Sequence, residues 1–262
     1  MRGKSVWRDA KVHLEVLGDE REVALRVRGG PARLRDLLPV ATELSRQVTE
    51  IAVAAAEAEG ARVSCKSGCA ACCRQLVPIS AIEALRLAEV VEALPPKPRR
   101  EVRRRFAAAV LRMEEVGLLD PRDAKGRHAL HGTPLPGESS WDNVSRRFFA
   151  AQIACPLLGR ETCGVYGDRP LICREYHVVT PAAWCGELSG RARAVDRPVR
   201  MSEVLAEAGN AIAGTEFPSI PLPLALEWAE VHGEALAGQV DGEEMFQALL
   251  EHAGGTVDGG AG

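Results

Sequence analysis

All eight cysteines of this 262-residue chain lie between residues 65 and 185. The first four form a tight run, Cys65-Lys-Ser-Gly-Cys69-Ala-Ala-Cys72-Cys73. The other four, Cys155, Cys163, Cys173 and Cys185, are spread over thirty-one residues. Whatever the chain folds into must accommodate this concentration of thiols. How they are read depends on the redox compartment. In a secreted protein eight cysteines suggest four disulfides; in a reducing compartment they suggest metal or redox chemistry. The amino terminus starts basic but lacks the apolar run of a secretion signal, and no stretch of 18 apolar residues is present. A cytoplasmic location, no membrane span and metal ligation are therefore the expectations.

Around the cysteines the pattern is mainly helical. Aromatic residues make up 4% of the chain and hydrophobic residues 46%, so the core must be built from aliphatic side chains, which suits helices. Residues 12–17 and 22–27 alternate as two strands about a Gly18-Asp19-Glu20 turn, a β-hairpin. Gly29-Gly30-Pro31 ends the second strand. Leu44, Val48, Ile51 and Ala55 mark one stripe of a helix over 40–59, with Pro39 at its start and Gly60 at its end. Ser80 and Glu83 have the spacing of a capping box for a helix reaching Leu94. A prolyl break at 95–98 leads to another helix ending near Gly117. Residues 117–141 read as a long loop, and 143–153 as amphipathic. Asp168 is expected to cap a short helix with Pro170 in its first turn. Ser202 is expected to cap a helix ending near Gly214, with further helices over 223–238 and 242–253, the last opened by Asp241 and Glu244.

The expected fold class is mainly α, with an irregular cysteine-rich centre and an N-terminal hairpin. Three units follow: a hairpin plus helix over 1–60, a cysteine-cluster metal-binding domain over 61–190, and a helical extension over 191–253. A frayed tail over 254–262 completes the chain. Strands and helices do not alternate, which argues against a barrel or a doubly wound sheet.

The expected metal ligands are Cys65, Cys69, Cys72, Cys73, Cys155, Cys163, Cys173 and Cys185. Thiolates spaced by three and two residues converge only if the backbone curls, and Gly68 supplies the freedom for that curl. Adjacent Cys72 and Cys73 are harder to place, because neighbouring side chains usually diverge. Either they serve two metals or one supports the other's ligand. Soft sulfur donors select zinc, copper(I) or iron–sulfur clusters. Only Cys69/Cys72 has the C-x2-C spacing common in structural zinc sites, and tight thiolate runs are typical of iron–sulfur ligation. An iron–sulfur cluster is preferred over zinc.

At these residues the chain resembles the CxxCxxCC-type zinc- or iron-chelating domain family, whose members include bacterial cysteine-cluster proteins and flagellin lysine N-methylases. The resemblance spans about residues 65–185. It rests on the early cluster and Glu83, followed by Cys155-Pro-Leu-Leu, Cys163-Gly-Val-Tyr166, Arg169-Pro-Leu-Ile-Cys173-Arg174 and Cys185. Ala70 departs from the glycine that many members carry there. The resemblance implies metal chelation and leaves the reaction open.

The chemical alternative is a cluster-dependent enzyme modifying a protein side chain. Cys65-x3-Cys69-x2-Cys72 matches the spacing of radical S-adenosylmethionine enzymes, but Ala71 stands where an aromatic is usual. A methyltransferase reading lacks a Gly-rich donor-binding turn. A protein substrate or partner is expected in that case.

Net charge is −3, so generic nucleic-acid binding is not expected. The run Arg99-Arg100-Glu-Val-Arg103-Arg104-Arg105 is read as a solvated helix face. His177 is read as a polar neighbour of the thiols, and His128 and His131 as loop residues. Arg169 and Arg174 can donate to sulfurs or to an anion; the plainer reading has them bonding loop carbonyls, with Tyr166 filling the core. Trp141, Phe148 and Phe149 are candidate core or interface residues.

Overall fold

The computed structural model describes residues 5–127, 130, 131, 139–187 and 190–254, without the side chains of residues 140 and 141. His128, residues 129 and 132–138 of the loop, Trp141's side chain, and tail residues 255–262 thus lie outside the described residues.

The hairpin is longer than its hydrophobic alternation indicates. Strands β1 (Val6–Val16) and β2 (Asp19–Gly29) pair antiparallel with Val12 opposite Val23. The turn is Leu17-Gly18, with φ of 53° and 77°. Two residues at positive φ form the tight turn whose twist matches flanking strands. Val23, Leu25 and Val27 of β2 are buried at period 2, and β2 lies on helices α1 (Leu38–Ala58) and α8 (Gly242–His252).

After Gly29 the chain leaves the hairpin and enters a second, separate strand pair. Pro31–Ala32 (β3) pairs with Val240–Asp241 (β8). Gly242 N–H donates to the Gly30 carbonyl at 2.8 Å, and a Cβ on Gly242 would lie 2.0 Å from the Arg28 carbonyl oxygen. Only glycine permits that approach. Asp241 caps α8 by accepting from Glu243 and Glu244 N–H.

Helix α1 buries Val40, Ala41, Leu44, Val48 and Ile51, the stripe that a 3.6-residue period requires. Past the early cysteines, β4 (Pro78–Ile79) leads into α2 (Ala81–Ala93). Its capping box is complete: Ser80 Oγ accepts from Glu83 N–H at 3.2 Å, and Glu83 Oε2 accepts from Ser80 N–H at 2.9 Å. Helix α3 (Pro96–Glu115) buries Val102, Phe106, Ala109 and Met113 and turns most of its arginines outward. Its basic run is a surface feature tied to neighbours: Arg99 and Arg103 both pair with Glu92, and Arg105 donates to the Leu158 carbonyl. Helix α4 (Ser140–Ala150) is capped by Ser139; Phe148 is buried and Phe149 partly so.

In the second cysteine region, β5 (Leu158–Gly159) and β6 (Thr162–Cys163) form a minimal hairpin, followed by α5 (Leu171–Glu175) and α6 (Met201–Ala213). Strand β7 (Ile220–Pro221) pairs with β4. The helix expected over 223–238 is broken up: α7 covers only Ala225–His232, with 3-10 turns on either side. Trp228 of α7 is fully buried against Phe217, ring centroids 5.0 Å apart.

One buried cluster includes Val12 and Val23 of the hairpin, Leu44 of α1, Leu87 of α2, Leu157 and Leu171 of the cysteine region, and Leu249 of α8. Mainly helical content and small antiparallel strand pairs agree with the expected class. Among the described residues, no helix is long and apolar enough to cross a membrane.

Candidate metal centre

The two cysteine groups, separated by about eighty residues of chain, meet. The early loop curls at Gly68, whose φ is 84°; Cys69 N–H returns to the Lys66 carbonyl, and a 3-10 turn, Ala71–Arg74, presents Cys72 and Cys73. Cys155 N–H donates to the Cys73 carbonyl at 2.7 Å, joining the late segment to the early one. Gln75 Nε2 donates to the Cys185 carbonyl at 2.8 Å. Val178 N–H points at Cys65 Sγ from 3.4 Å. Cys185 is buried, and the other seven cysteines are partly buried. All eight are free, with no disulfide among them.

Burial and mutual charge raise most of these thiols. Burial raises the Cys185 thiol, and the neighbouring Cys65, Cys72 and Cys69 add to the rise. Burial likewise raises Cys65, which Cys69 and Cys72 also oppose. On the other side, burial pushes Cys155 up to about 12, with Cys163 and Cys72 contributing. Cys173 rises well above the usual thiol range through burial, with Cys155, Cys72 and Cys163 nearby. The hydrogen bond that the Cys72 thiol donates to Cys73 is the largest cause of the rise at Cys72, followed by burial. Cys72 is thus the thiol that influences members of both sets. Charge repulsion among thiolates and loss of water both favour the protonated form until a cation compensates.

As the side chains stand, no three His, Cys, Asp or Glu residues among the described ones are grouped closely enough to hold a metal ion. The donor set nonetheless suits a soft metal, since it consists of free, at least partly buried thiols on two stretches of chain that hydrogen-bond to each other.

Two buried carboxylates clamp α5, the short helix that carries Cys173. Glu83, besides closing its own capping box, accepts Leu171 N–H through Oε1 at 2.7 Å. Glu175 accepts from Ser45 Oγ at 3.1 Å, Ser202 N–H at 3.0 Å and Ser202 Oγ at 2.8 Å. Burial raises both acids. These contacts correct two expectations. Asp168 does not cap α5: it ends a 3-10 turn and pairs with Arg86 at 2.8 Å, while Pro170 is the cap residue and Glu83 receives the first amide. Ser202 does not cap α6: the helix begins at Met201, and Glu175 receives the Ser202 amide instead. Residue spacing could flag neither contact, because the partners are 88 and 27 residues apart.

The flanking residues are mixed in outcome. Arg174 bonds the carbonyls of Arg169 and Gly167, as the plainer reading holds. Tyr166 does not fill the core: it is 44% exposed on a 3-10 turn, and the Arg169 guanidinium lies over its ring, 4.0 Å from the centroid. His177 Nδ1 lies 3.4 Å from the Glu175 carbonyl, and burial lowers its basicity. His131 pairs with Asp123, away from the thiols.

No curated protein and no solved structure significantly matches this chain. A family model does match: residues 64–189 fit the CxxCxxCC family, described as a putative zinc- or iron-chelating domain. All eight cysteines and the turns that gather them lie inside that span, so the cysteine-bearing part of the chain is what resembles the CxxCxxCC domain.

Proposed function

We propose that the protein chelates a soft metal through its eight thiols, as an iron–sulfur centre in preference to zinc. The observation carrying this reading is the meeting of two distant cysteine groups, joined by the 2.7 Å bond from Cys155 to Cys73, with every sulfur unbridged. A structural disulfide framework would pair these sulfurs; a chelating one leaves them free and facing. Free thiols fit a reducing compartment such as the cytoplasm.

The ligands divide into two adjoining sets. Cys65, Cys69 and Cys185 form one side, and Cys155, Cys163 and Cys173 the other, with the Cys72–Cys73 pair at the seam. The mutual influences among the thiols support this division. Arg169 favours the ionised forms of Cys65 and Cys72, offsetting part of the negative charge that thiolates bring to a metal. A bound metal would supply a positive centre that holds the loops together. The chain supplies the donors, the clamp on α5 through Glu83 and Glu175, and the exclusion of water.

Iron, sulfide and zinc analysis of anaerobically purified protein tests the reading. Iron with matching acid-labile sulfide is expected. Zinc without iron overturns the preference for a cluster. Absence of both, in protein that also fails to take up either on reconstitution, overturns chelation. Cys65→Ser and Cys185→Ser should lose the same part of the metal, and Cys163→Ser and Cys173→Ser the other part.

A further inference from the structure

Beside α5 lies an open cleft of about 600 Å³. It is walled by the start of α1, one side of α2 and the Gly167–Arg174 segment. That volume is within the range of small-ligand sites. Its charges do not cancel residue by residue. Asp36 on the wall accepts Arg33 N–H at 3.0 Å and lies 3.8 Å from Arg28. Glu43 is held by Arg46 and Gln47. Glu89 binds both Arg35 and Arg86. Asp168 binds Arg86 at 2.8 Å. Glu83 is occupied by Ser80 and Leu171.

Two cations remain. Among the described residues, no carboxylate pairs with Arg169 or Arg174. The Nε of Arg169 is buried without any acceptor, and its guanidinium lies over the face of Tyr166. Arg174 donates to two loop carbonyls; Asp168 lies near enough to be felt by it but is engaged by Arg86. A buried guanidinium nitrogen without a partner is costly and marks a place where an acceptor belongs. Two adjacent arginines also repel each other, a cost that an anion between them removes. Planar guanidinium forks match oxyanions, and two unit charges match a dianion.

We propose that this cleft binds the phosphate group of a small molecule, gripped by Arg169 and Arg174. The site is independent of metal at the thiols, although Arg169 also faces Cys65 and Cys72, so a ligand there would lie next to the proposed centre. The rest of the ligand would extend along the α1–α2 wall past Leu38 and Leu87.

Calorimetric titration of the full chain at low salt with inorganic phosphate, pyrophosphate and acetate tests the proposal. Saturable one-to-one binding of phosphate or pyrophosphate is expected, weakening as salt rises. Arg169→Gln and Arg174→Gln should each weaken it about tenfold or more, and Arg122→Gln, on a distant exposed pair, should leave it unchanged. Phenylglyoxal footprinting of the unmutated protein keeps the test decisive if a variant fails to fold: Arg169 and Arg174 should be modified without phosphate and protected by it. No saturable binding, equal affinity in the variants, or no protection overturns the proposal. Acetate binding as tightly as phosphate overturns the phosphate assignment. Metal analysis of the same samples separates this outcome from that of the chelation reading.

Discussion

Replacing Glu83 probes how the centre is held. Its carboxylate is fully enclosed and receives three hydrogen bonds, from Ser80 N–H at 2.9 Å, Ser80 Oγ at 2.8 Å and Leu171 N–H at 2.7 Å. Glu83→Ala leaves two buried amides without acceptors, each costing about 1–3 kcal/mol. With the space left behind, a loss of about 3–5 kcal/mol is expected. Glu83→Gln keeps one acceptor for Leu171 but turns an NH2 group toward the Ser80 amide, so a loss of about 1–3 kcal/mol is expected. The two variants also differ from wild type in their pH response. Burial raises the Glu83 carboxyl above its unfolded value. A group raised on folding contributes its full stabilisation below the unfolded pKa, about 4.3, and loses it as pH rises through the folded value. The wild-type advantage over Glu83→Gln should therefore be largest near pH 4.5 and shrink toward pH 8. Taking the difference cancels the similar trend from Glu175, which both proteins share. Urea denaturation followed by circular dichroism at several pH values measures it. An advantage that stays constant or grows with pH refutes the buried, proton-holding account, and an Ala variant losing under about 1 kcal/mol refutes the clamp.

Three further outcomes are expected. Gly242→Ala forces a Cβ toward the Arg28 carbonyl, 2.0 Å away, and should cost about 2–4 kcal/mol by urea denaturation, because backbone rather than a flexible side chain must yield. Arg127 bridges Glu114 at 2.5 Å and Glu227 at 3.1 Å in a poorly exposed setting; Arg127→Met strands two acids and should cost about 3–5 kcal/mol, with Glu227→Gln in the same chain recovering part of it. Glu175→Ala should raise hydrogen exchange in the first turn of α6, where the Ser202 amide loses its acceptor; unchanged exchange there would show that α6 is started by other contacts.

Much of this architecture is legible in residue order where the interaction is local. The hairpin alternates, the Ser80/Glu83 box spans three residues, and Asp241 precedes its helix directly. The hairpin's outer ends were hidden because residues 6–11 and 28–29 carry charged or exposed side chains that break the alternation. The 223–238 segment keeps an apolar period, yet α7 stops at His232, just before Gly233, a weak helix former, and 3-10 turns flank it on both sides. The cysteines announce themselves by clustering, and Gly68 by its place in the loop. What spacing cannot supply is any contact made across the chain. Glu83 reaching Leu171, Glu175 reaching Ser202, and Arg169 settling on Tyr166 all depend on the tertiary arrangement, and Asp168 loses its expected role because Arg86 competes for it.

The pairing of Pro78–Ile79 with Ile220–Pro221 carries a consequence for biosynthesis. The strand immediately after the first four cysteines has no partner until the ribosome has added about 140 more residues. During that interval the nascent loop is an unanchored trithiol with an extra cysteine, open to whatever ion the cell offers. Which metal is found in the finished protein will then reflect supply during translation as well as the preferences of the closed fold.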